Sequence, residues 1–204
     1  MFKTSQEKFW AGDFGKNYIG RNNSRELLAS NLNFFSQSLK CANNIKTCIE
    51  FGSNIGMNLK ALKLLYPSLD MSAVEINKTA IIKLSKIVNK KNIFSGSILD
   101  YVNDKKFDLV FVKGLLIHID PKKLNEVYKK LFYYTKKYLL VAEYYSPNPQ
   151  KLNYRGFKNK LFKRDFVGDI IKLYPELKLI DYGFNYHKDK SFPMDDINWF
   201  LLEK

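Results

Sequence analysis

The chain has 204 residues, 46% of them hydrophobic, which suits one globular domain with a substantial core. Its formal net charge of +14 is typical of nucleic-acid-binding proteins, yet only four of its 34 basic residues are arginines, and a lysine excess of this kind also marks AT-rich coding sequence. The first residues are polar and amphipathic, and no apolar run is long enough to span a bilayer. We therefore expect a soluble cytoplasmic protein without a signal peptide or membrane span.

The two cysteines, Cys41 and Cys48, do not form a metal-binding pattern, because no further cysteine and no nearby histidine accompanies them. We expect both to be free, buried thiols in a reducing compartment, and we expect no metal site.

Short β-rich runs alternate with longer amphipathic runs along the chain. A helix is predicted from residue 25, after Ser24 as its cap, and further helices and strands follow at typical spacing. The predicted strands are 47–51, 71–75, 92–95, 107–113 and 138–145, and the predicted helices are 58–65, 78–88, 124–134 and 164–174. Two last strands, 177–186 and 198–202, are joined only by a loop, which suits an antiparallel pair.

This order predicts an α/β fold: a Rossmann-like, doubly wound, mostly parallel seven-stranded sheet with a C-terminal antiparallel hairpin. We interpret residues 1–204 as a single domain, with 1–45 as an N-terminal helical lid segment and 46–204 as the core.

The segment 48–58 reads CIEFGSNIGMN, a strand that passes through a glycine-spaced turn into a helix. Gly52 and Gly56 let the backbone bend tightly and let a ligand approach without a Cβ in the way. Glu50 at the strand tip can accept from the α-ammonium group of a bound amino acid. Asn54 stands where dehydrogenases have their middle glycine, so this turn alone also fits simple packing of a helix on a strand.

A second acid, Glu75, ends the next strand, 19 residues after Gly56. An acid there can accept both hydroxyls of an adenosine ribose, although a solvated strand end is the alternative. The third strand ends at Gly96, Ser97 and Ile98, where an apolar and a small polar side chain can contact an adenine ring. Because the carboxyl ends of parallel strands meet at one crevice, these three strand ends predict a nucleoside site.

The fourth and fifth strands bring further polar groups to the same edge. Lys113 emerges at a strand tip and His118 follows it, either as a proton acceptor or as a structural histidine near a helix start. Glu143, Tyr144 and Tyr145 end the fifth strand and suit a polar substrate pocket, or simply lead into the turn before Pro147. The clusters at 153–156, 161–165 and 186–189 are predicted to lie in loops that either carry a substrate lid or are only solvated.

Sequence blocks over nearly the whole chain resemble one family. They are 6–22, IEFGSNIGMNLKAL at 49–62, AVEIN at 73–77, KGLLIHI at 113–119, AEYYSPNP at 142–149, YRG at 154–156, LFKRDF at 161–166, and the C-terminal DYGFNYH and WFLLEK. The chain resembles the pseudaminic acid biosynthesis-associated methylases, a branch of the class I S-adenosylmethionine (SAM)-dependent methyltransferases.

The resemblance implies SAM as cofactor, S-adenosylhomocysteine (SAH) as product and a small, sugar-linked bacterial substrate. Ser97 stands where many class I enzymes carry an aspartate for adenine. The expected cofactor contacts are Tyr18, Arg21, Glu50, Gly52, Ser53, Asn54, Gly56, Glu75, Ile76, Gly96, Ser97, Ile98 and Lys113. The expected substrate contacts are Tyr144, Tyr145, Tyr154, Arg155, Arg164, Tyr186 and His187.

We expect methyl transfer to a sugar or sugar-nucleotide hydroxyl or amine in surface-glycan biosynthesis. His118 or Glu143 would take the acceptor proton, and Lys113, Arg155 and Arg164 would hold an anionic part of the substrate. The alternatives are an N-methyltransferase of a small amine, a SAM-binding protein without catalysis, and a nucleic-acid methyltransferase. The last is disfavoured because KGLL, not an NPPY-like block, follows the fourth strand and no recognition domain is evident. The sequence does not predict the oligomeric state.

Overall fold

A computed structural model describes residues 2–21 and 24–204, with Arg21 described by its backbone alone. The helices are α1 (Ser5–Ala11), α2 (Asp13–Tyr18), α3 (Arg25–Ser38), α4 (Met57–Leu65), α5 (Lys78–Leu84), α6 (Leu124–Tyr134) and α7 (Phe166–Leu173). The strands are β1 (Thr47–Phe51), β2 (Asp70–Glu75), β3 (Ile93–Ser95), β4 (Phe107–Lys113), β5 (Thr135–Glu143), β6 (Gln150–Tyr154), β7 (Phe157–Lys163), β8 (Lys178–Asn185) and β9 (Ile197–Glu203).

A seven-stranded sheet forms the centre of the molecule, in the order β3-β2-β1-β4-β5-β9-β8. The strands β1 to β5 pair in parallel, whereas β9 runs antiparallel to both β5 and β8. The predicted fold class is confirmed. Because the carboxyl ends of β1 to β5 lie on one edge, side chains that follow these strands come together there.

Apolar side chains are buried on both faces of the sheet, which explains the nearly continuous apolar run of β4. On one face Val110 belongs to a cluster with Leu131 of α6 and Ile170 of α7. On the other, Phe111 packs against Phe35 of α3 with ring centroids 5.5 Å apart. Each such fully buried side chain stabilises the fold by roughly 1.5–3 kcal/mol relative to its exposed state.

The strands β6 and β7 form a separate antiparallel hairpin where we predicted loops. Arg155 and Gly156 connect them with φ angles of 50° and 86°, a left-handed pair of the kind that favours two-residue hairpin turns. The loop prediction is therefore wrong for 153–154 and 161–163, which lie in the strands, whereas 155–156 form the turn between them. Most side chains of this hairpin are exposed, so the sequence lacks the apolar alternation that marks a half-buried strand.

Two smaller expectations also need correction. The strand β5 begins at Thr135, three residues earlier than predicted, because the chain passes directly from α6 into the sheet and the Thr135 hydroxyl donates to the Leu131 carbonyl at 2.7 Å. Both cysteines are free thiols, but only Cys48 is buried and Cys41 is exposed. Among the described residues, no helix is both long and apolar enough to cross a membrane.

Candidate active site

A cavity of about 500 Å³ opens at the carboxyl ends of β1 to β4. The turns that follow β1, β2 and β3 line it with residues from 52–55, 74–77 and 96–99. The exit of β4 between Lys113 and Asp120 forms a further wall, and side chains of α1, α2 and the segment before β9 complete it. The predicted crevice therefore exists as one continuous, partly open cavity.

The glycine turn after β1 needs both of its glycines. Gly52 and Gly56 have φ angles of 80° and 85°, in the region that glycine tolerates best. The Gly52 amide donates to the Val74 carbonyl at 2.9 Å, which fixes the turn against β2. A Cβ at position 56 would lie 2.7 Å from Leu84 Cδ1, and one at position 52 would lie 2.9 Å from Leu115. Because leucine side-chain ends can shift, the positive φ angles are the stronger reason why glycine is favoured at both positions.

Glu50 lies fully buried under this turn and carries an unsatisfied oxygen. Its Oε1 accepts from Asn58 Nδ2 at 2.6 Å, whereas Oε2 has no hydrogen-bond partner among the described residues. Burial raises the pKa of Glu50 to about 8, although the Asn58 bond and the charge of Lys113 oppose the rise. Buried polar atoms are normally paired, so this oxygen is a candidate acceptor for a ligand cation, directly or through water.

Glu75 connects the turns that follow β1 and β2 at the cavity. Its Oε2 accepts from the Asn54 amide at 2.6 Å and its Oε1 from the Asn77 amide at 2.7 Å, and burial raises its pKa. Each carboxylate oxygen can accept a second hydrogen bond, so Glu75 keeps capacity for two ligand hydroxyls.

Asn77 connects the turn after β2 to the N-terminal helices. Its Oδ1 caps α5 by accepting from the Thr79 and Ala80 amides, and its Nδ2 donates to the Trp10 carbonyl at 3.0 Å. A weaker bond of 3.5 Å reaches the Gly12 carbonyl. One side chain therefore links the turn after β2 to both α1 and the start of α2.

His118 is buried at the cavity wall in a defined tautomer. Its Nδ1 lies 2.7 Å from the Lys160 carbonyl, which can only accept, so Nδ1 carries the hydrogen and Nε2 is left as an acceptor. Burial lowers its pKa to about 4, so the ring is neutral near pH 7. The ring packs between Trp10 and Tyr154, at centroid distances of 4.6 and 4.8 Å.

Glu143 does not line the cavity. Its carboxylate accepts from the backbone amides of Leu115, Leu116 and Ile117, at 2.9, 2.8 and 3.4 Å. Burial raises its pKa to about 7, and these three bonds oppose the rise. Glu143 thus anchors the turn that leads into His118.

Lys113 lines the cavity at the tip of β4, with Nζ 5.5 Å from the centre of the Phe34 ring. Burial lowers its pKa, and the charges of Glu50, Asp195 and Glu143 oppose this. The Lys113 amine therefore lies in a region rich in carboxylates.

The structure gathers most of the predicted contacts around this cavity and leaves others away from it. The predicted residues that line it are Tyr18, Gly52, Ser53, Asn54, Glu75, Ile76, Gly96, Ser97, Ile98, Lys113, His118, Tyr144, Tyr154 and His187. The predicted residues that do not are Glu50, Gly56, Glu143, Tyr145, Arg155, Arg164 and Tyr186.

The placement of these other residues follows from their contacts. Tyr145 is exposed, with its ring 6.3 Å from that of Phe200, and Arg155 lies at the hairpin turn over the Tyr154 ring. Arg164 pairs with Asp169 at 2.7 Å. Tyr186 is exposed beside His187, and the side chain of Arg21 lies outside the described part of the chain.

Sequence reasoning missed several cavity residues on α1, α3 and the segment before β9. They are Glu7, Trp10, Asn31, Met194 and Asp195. These residues are distant in sequence from the predicted strand ends, and no local pattern indicates that they share one space. Asp195 accepts from the Tyr144 hydroxyl at 3.0 Å, which places a carboxylate at the tip of β5.

The α1–α2 segment and the β6–β7 hairpin pack on each other over the cavity. Phe157 of the hairpin lies 5.0 Å from Phe9 and 5.5 Å from Phe14, measured between ring centroids. Lys160 Nζ donates to the Ser5 carbonyl at 2.9 Å, and Gln6 Nε2 donates to the Asn159 carbonyl at 3.1 Å. In the part of the chain that the structure describes, no group of three or more His, Cys, Asp or Glu residues could hold a metal ion.

No protein-family model and no curated sequence matches this chain. Several solved structures have a similar fold. A SAM-dependent methyltransferase from Archaeoglobus fulgidus is 14% identical, with a TM-score of 0.67 over 94% of this chain and 100% of that one. The 1,6-didemethyltoxoflavin-N1-methyltransferase of Burkholderia thailandensis, solved with 1,6-didemethyltoxoflavin and SAH, is 9% identical, with a TM-score of 0.71 over 98% and 86%.

A third structure, a SAM-dependent methyltransferase from Clostridium acetobutylicum, is 12% identical, with a TM-score of 0.64 over 93% of this chain and 97% of that one. Identities this low show the fold and leave the narrower resemblance to pseudaminic acid biosynthesis-associated methylases a prediction. The chain has the Rossmann-like fold of the SAM-dependent methyltransferases.

Proposed function

We propose that the chain is a SAM-dependent methyltransferase that acts on a small polar metabolite. The observation that carries the proposal is the unpartnered Glu50 oxygen under a turn whose positive φ angles favour glycine at two positions, with Glu75 beside it. When bound, SAM supplies a methyl group activated by its sulfonium for in-line displacement. The same fold holds SAH in the 1,6-didemethyltoxoflavin-N1-methyltransferase named above.

The residues around the turn fit the parts of this cofactor. Glu75 would accept from the ribose hydroxyls, and Glu50 would accept from the methionyl ammonium. The turn residues Gly52, Ser53 and Asn54 would lie along the methionyl chain. Lys113, Tyr18 and Arg21 are the proposed contacts to its carboxylate, and Gly96, Ser97, Ile98 and Ile76 would surround the adenosine.

His118 is the proposed proton acceptor. Its neutral ring offers Nε2 because Nδ1 is committed to the Lys160 carbonyl. Glu143 is a positioning residue in this scheme, since it holds the three amides that lead into His118. The packed rings of Trp10 and Tyr154 keep water from this side of the site, and alignment of the acceptor supplies much of the rate.

The acceptor is proposed to be a hydroxyl or amine of a sugar or sugar nucleotide in bacterial surface-glycan biosynthesis, which the sequence resemblance supports. Arg164 forms an ion pair with Asp169 and would therefore not contact the substrate. The α1–α2 segment and the β6–β7 hairpin would form the lid over the acceptor, because they pack together at the cavity mouth.

A second candidate is an N-methyltransferase of a small amine. The acidic side chains that line the described cavity are Glu7, Glu75, Asp120 and Asp195, and the lysine that lines it is Lys113. The cavity is therefore rich in carboxylates, although the protein as a whole has a net charge of +14. A carboxylate lining in a basic protein favours an acceptor that carries an ammonium group over one that carries a phosphate.

Isothermal titration with SAM and SAH tests the proposal. We expect binding by the natural protein, a large loss in Glu75→Gln and none in the matched Glu176→Gln, since Glu176 is exposed. Detection of SAH formed with sugar nucleotides and with amines then separates the two acceptor classes. Absence of SAH binding in the natural protein contradicts the function, and binding without turnover across the panel favours a non-catalytic role. Salt-dependent DNA or RNA binding would favour the nucleic-acid class.

A further inference from the structure

Glu7 of α1 presents a second unpartnered carboxylate oxygen at the cavity. Its side chain is 7% exposed, and its Oε2 accepts from the backbone amides of Lys3 and Thr4 at 2.6 and 2.7 Å. The Thr4 hydroxyl in turn accepts from the Glu7 amide at 3.1 Å, which completes a capping box. The other oxygen, Oε1, is buried without a hydrogen-bond partner among the described residues. Capping alone therefore explains one oxygen and leaves the other available.

The position of Glu7 is fixed beside the exit of β3. Lys3, whose amide binds Glu7, has its Nζ 2.8 Å from Asp100 Oδ1 and 3.4 Å from the Leu99 carbonyl. Through Lys3, Glu7 is therefore tied to the segment that follows β3, and Glu7 lines the same cavity as Ser97, Ile98 and Leu99. The Ser97 hydroxyl accepts from the Leu99 amide at 3.1 Å and so already has a hydrogen-bond partner within its own turn.

We infer that Glu7 Oε1 accepts a hydrogen bond from the exocyclic amino group of the cofactor's adenine ring. This rests on the proposed function, because the third strand end is where that function puts the base. The contact makes α1 part of cofactor recognition as well as of the lid. It also selects the base, because adenine has an N–H donor at this position and hypoxanthine has a carbonyl acceptor.

The isosteric change Glu7→Gln alters this one atom in a defined way. The Lys3 and Thr4 amides both donate, so the glutamine oxygen keeps the capping side and its NH2 group takes the place of Oε1. An acceptor towards the base becomes a donor without a change of shape. Such a donor disfavours adenine and matches the carbonyl of hypoxanthine.

Calorimetric titration with SAH and with S-inosylhomocysteine tests this. The natural protein is expected to bind SAH about tenfold or more tightly than the inosyl analogue, because a lost or mismatched hydrogen bond costs about one order of magnitude. In Glu7→Gln the ratio should fall by about tenfold or more. The matched control is Glu26→Gln, which changes an exposed glutamate in the first turn of α3, away from the cavity, and should leave the ratio as it is.

The outcomes separate clearly. An unchanged ratio in Glu7→Gln, or an equal fall of the ratio in Glu26→Gln, overturns the inference while SAH binding upholds the proposed function. Absence of SAH binding to the natural protein overturns both. Should Glu7→Gln fail to fold, the natural protein still decides: an SAH analogue dimethylated on the adenine amino group lacks the N–H donor, and binding as tight as that of SAH overturns the inference.

Discussion

Replacement of Glu50 by glutamine should stabilise the protein in alkali and weaken its cofactor binding. The native pKa of Glu50 is raised by burial from 4.5 to about 8, so the folded chain holds a proton that the unfolded chain releases. The stabilisation is complete below the unfolded value and is lost as the pH rises towards about 8. The shift corresponds to about 5 kcal/mol in total, or about 1.4 kcal/mol for each pH unit in that window.

Glutamine keeps the shape and has no proton to lose. Its oxygen would retain the bond from Asn58, and its NH2 group would stand where the unpartnered Oε2 lies now. We therefore expect the stability of Glu50→Gln to exceed that of the natural protein by an amount that grows from about pH 5 to about pH 8 and reaches a few kcal/mol. Its affinity for SAH should fall at the same time, because a donor then faces the methionyl ammonium.

Urea unfolding followed by fluorescence across this pH range measures the first effect, and calorimetric titration with SAH measures the second. Glu176→Gln, which changes an exposed glutamate, is the control. Parallel stability curves for Glu50→Gln and the natural protein would refute the reasoning about the buried carboxyl.

Three further expectations follow from the site. Gly56→Ala should lower the free energy of unfolding by about 1–3 kcal/mol, because Gly56 has a positive φ and a Cβ there would lie 2.7 Å from Leu84. The control Gly20→Ala, whose Cβ would meet nothing within 4 Å, should not lower it. Equal melting temperatures of the two variants would contradict this expectation. His118→Asn should abolish methyl transfer to a hydroxyl acceptor and leave SAH affinity unchanged. Burial lowers the His118 pKa from 6.5 to about 4, so the natural protein loses stability as the pH falls from 6.5 to 4. His118→Asn should lose less stability over this range, and identical stability profiles in acid would contradict this expectation. Trp10→Phe should remove the fluorescence change on SAH binding, and Trp199→Phe should retain it, because only Trp10 of the two lines the cavity; the reverse result would move the ligand elsewhere.

The central sheet could be predicted because its strands are buried on both faces and differ sharply from the helices between them. The run at β4, FDLVFVK, and the glycine turn after β1 each carry a strong local signal. The three strand ends were predictable for the same reason, since Gly52, Glu75 and Ser97 each follow a recognisable strand.

The β6–β7 hairpin could not be predicted in this way. Its strands are largely exposed and lysine-rich, and its turn uses Arg155 at a φ of 50°, which non-glycine residues adopt infrequently. The pair Arg155–Gly156 between Tyr154 and Phe157 was the one available hint. The role of Glu143 was equally hard to predict, because the sequence does not show that three backbone amides bind its carboxylate.

The double attachment of Asn77 has a kinetic consequence. Its side chain caps α5 beside the proposed cofactor site and donates to the Trp10 carbonyl in α1, so we expect ligand occupancy and the ordering of α1 to be coupled reciprocally. Amides of α1 and α2 should then exchange with deuterium more slowly when SAH is bound, and the residence time of SAH should shorten when this bond is lost. Turnover would accordingly be governed by how often the N-terminal segment detaches to let SAH leave, and less by the displacement at the methyl group.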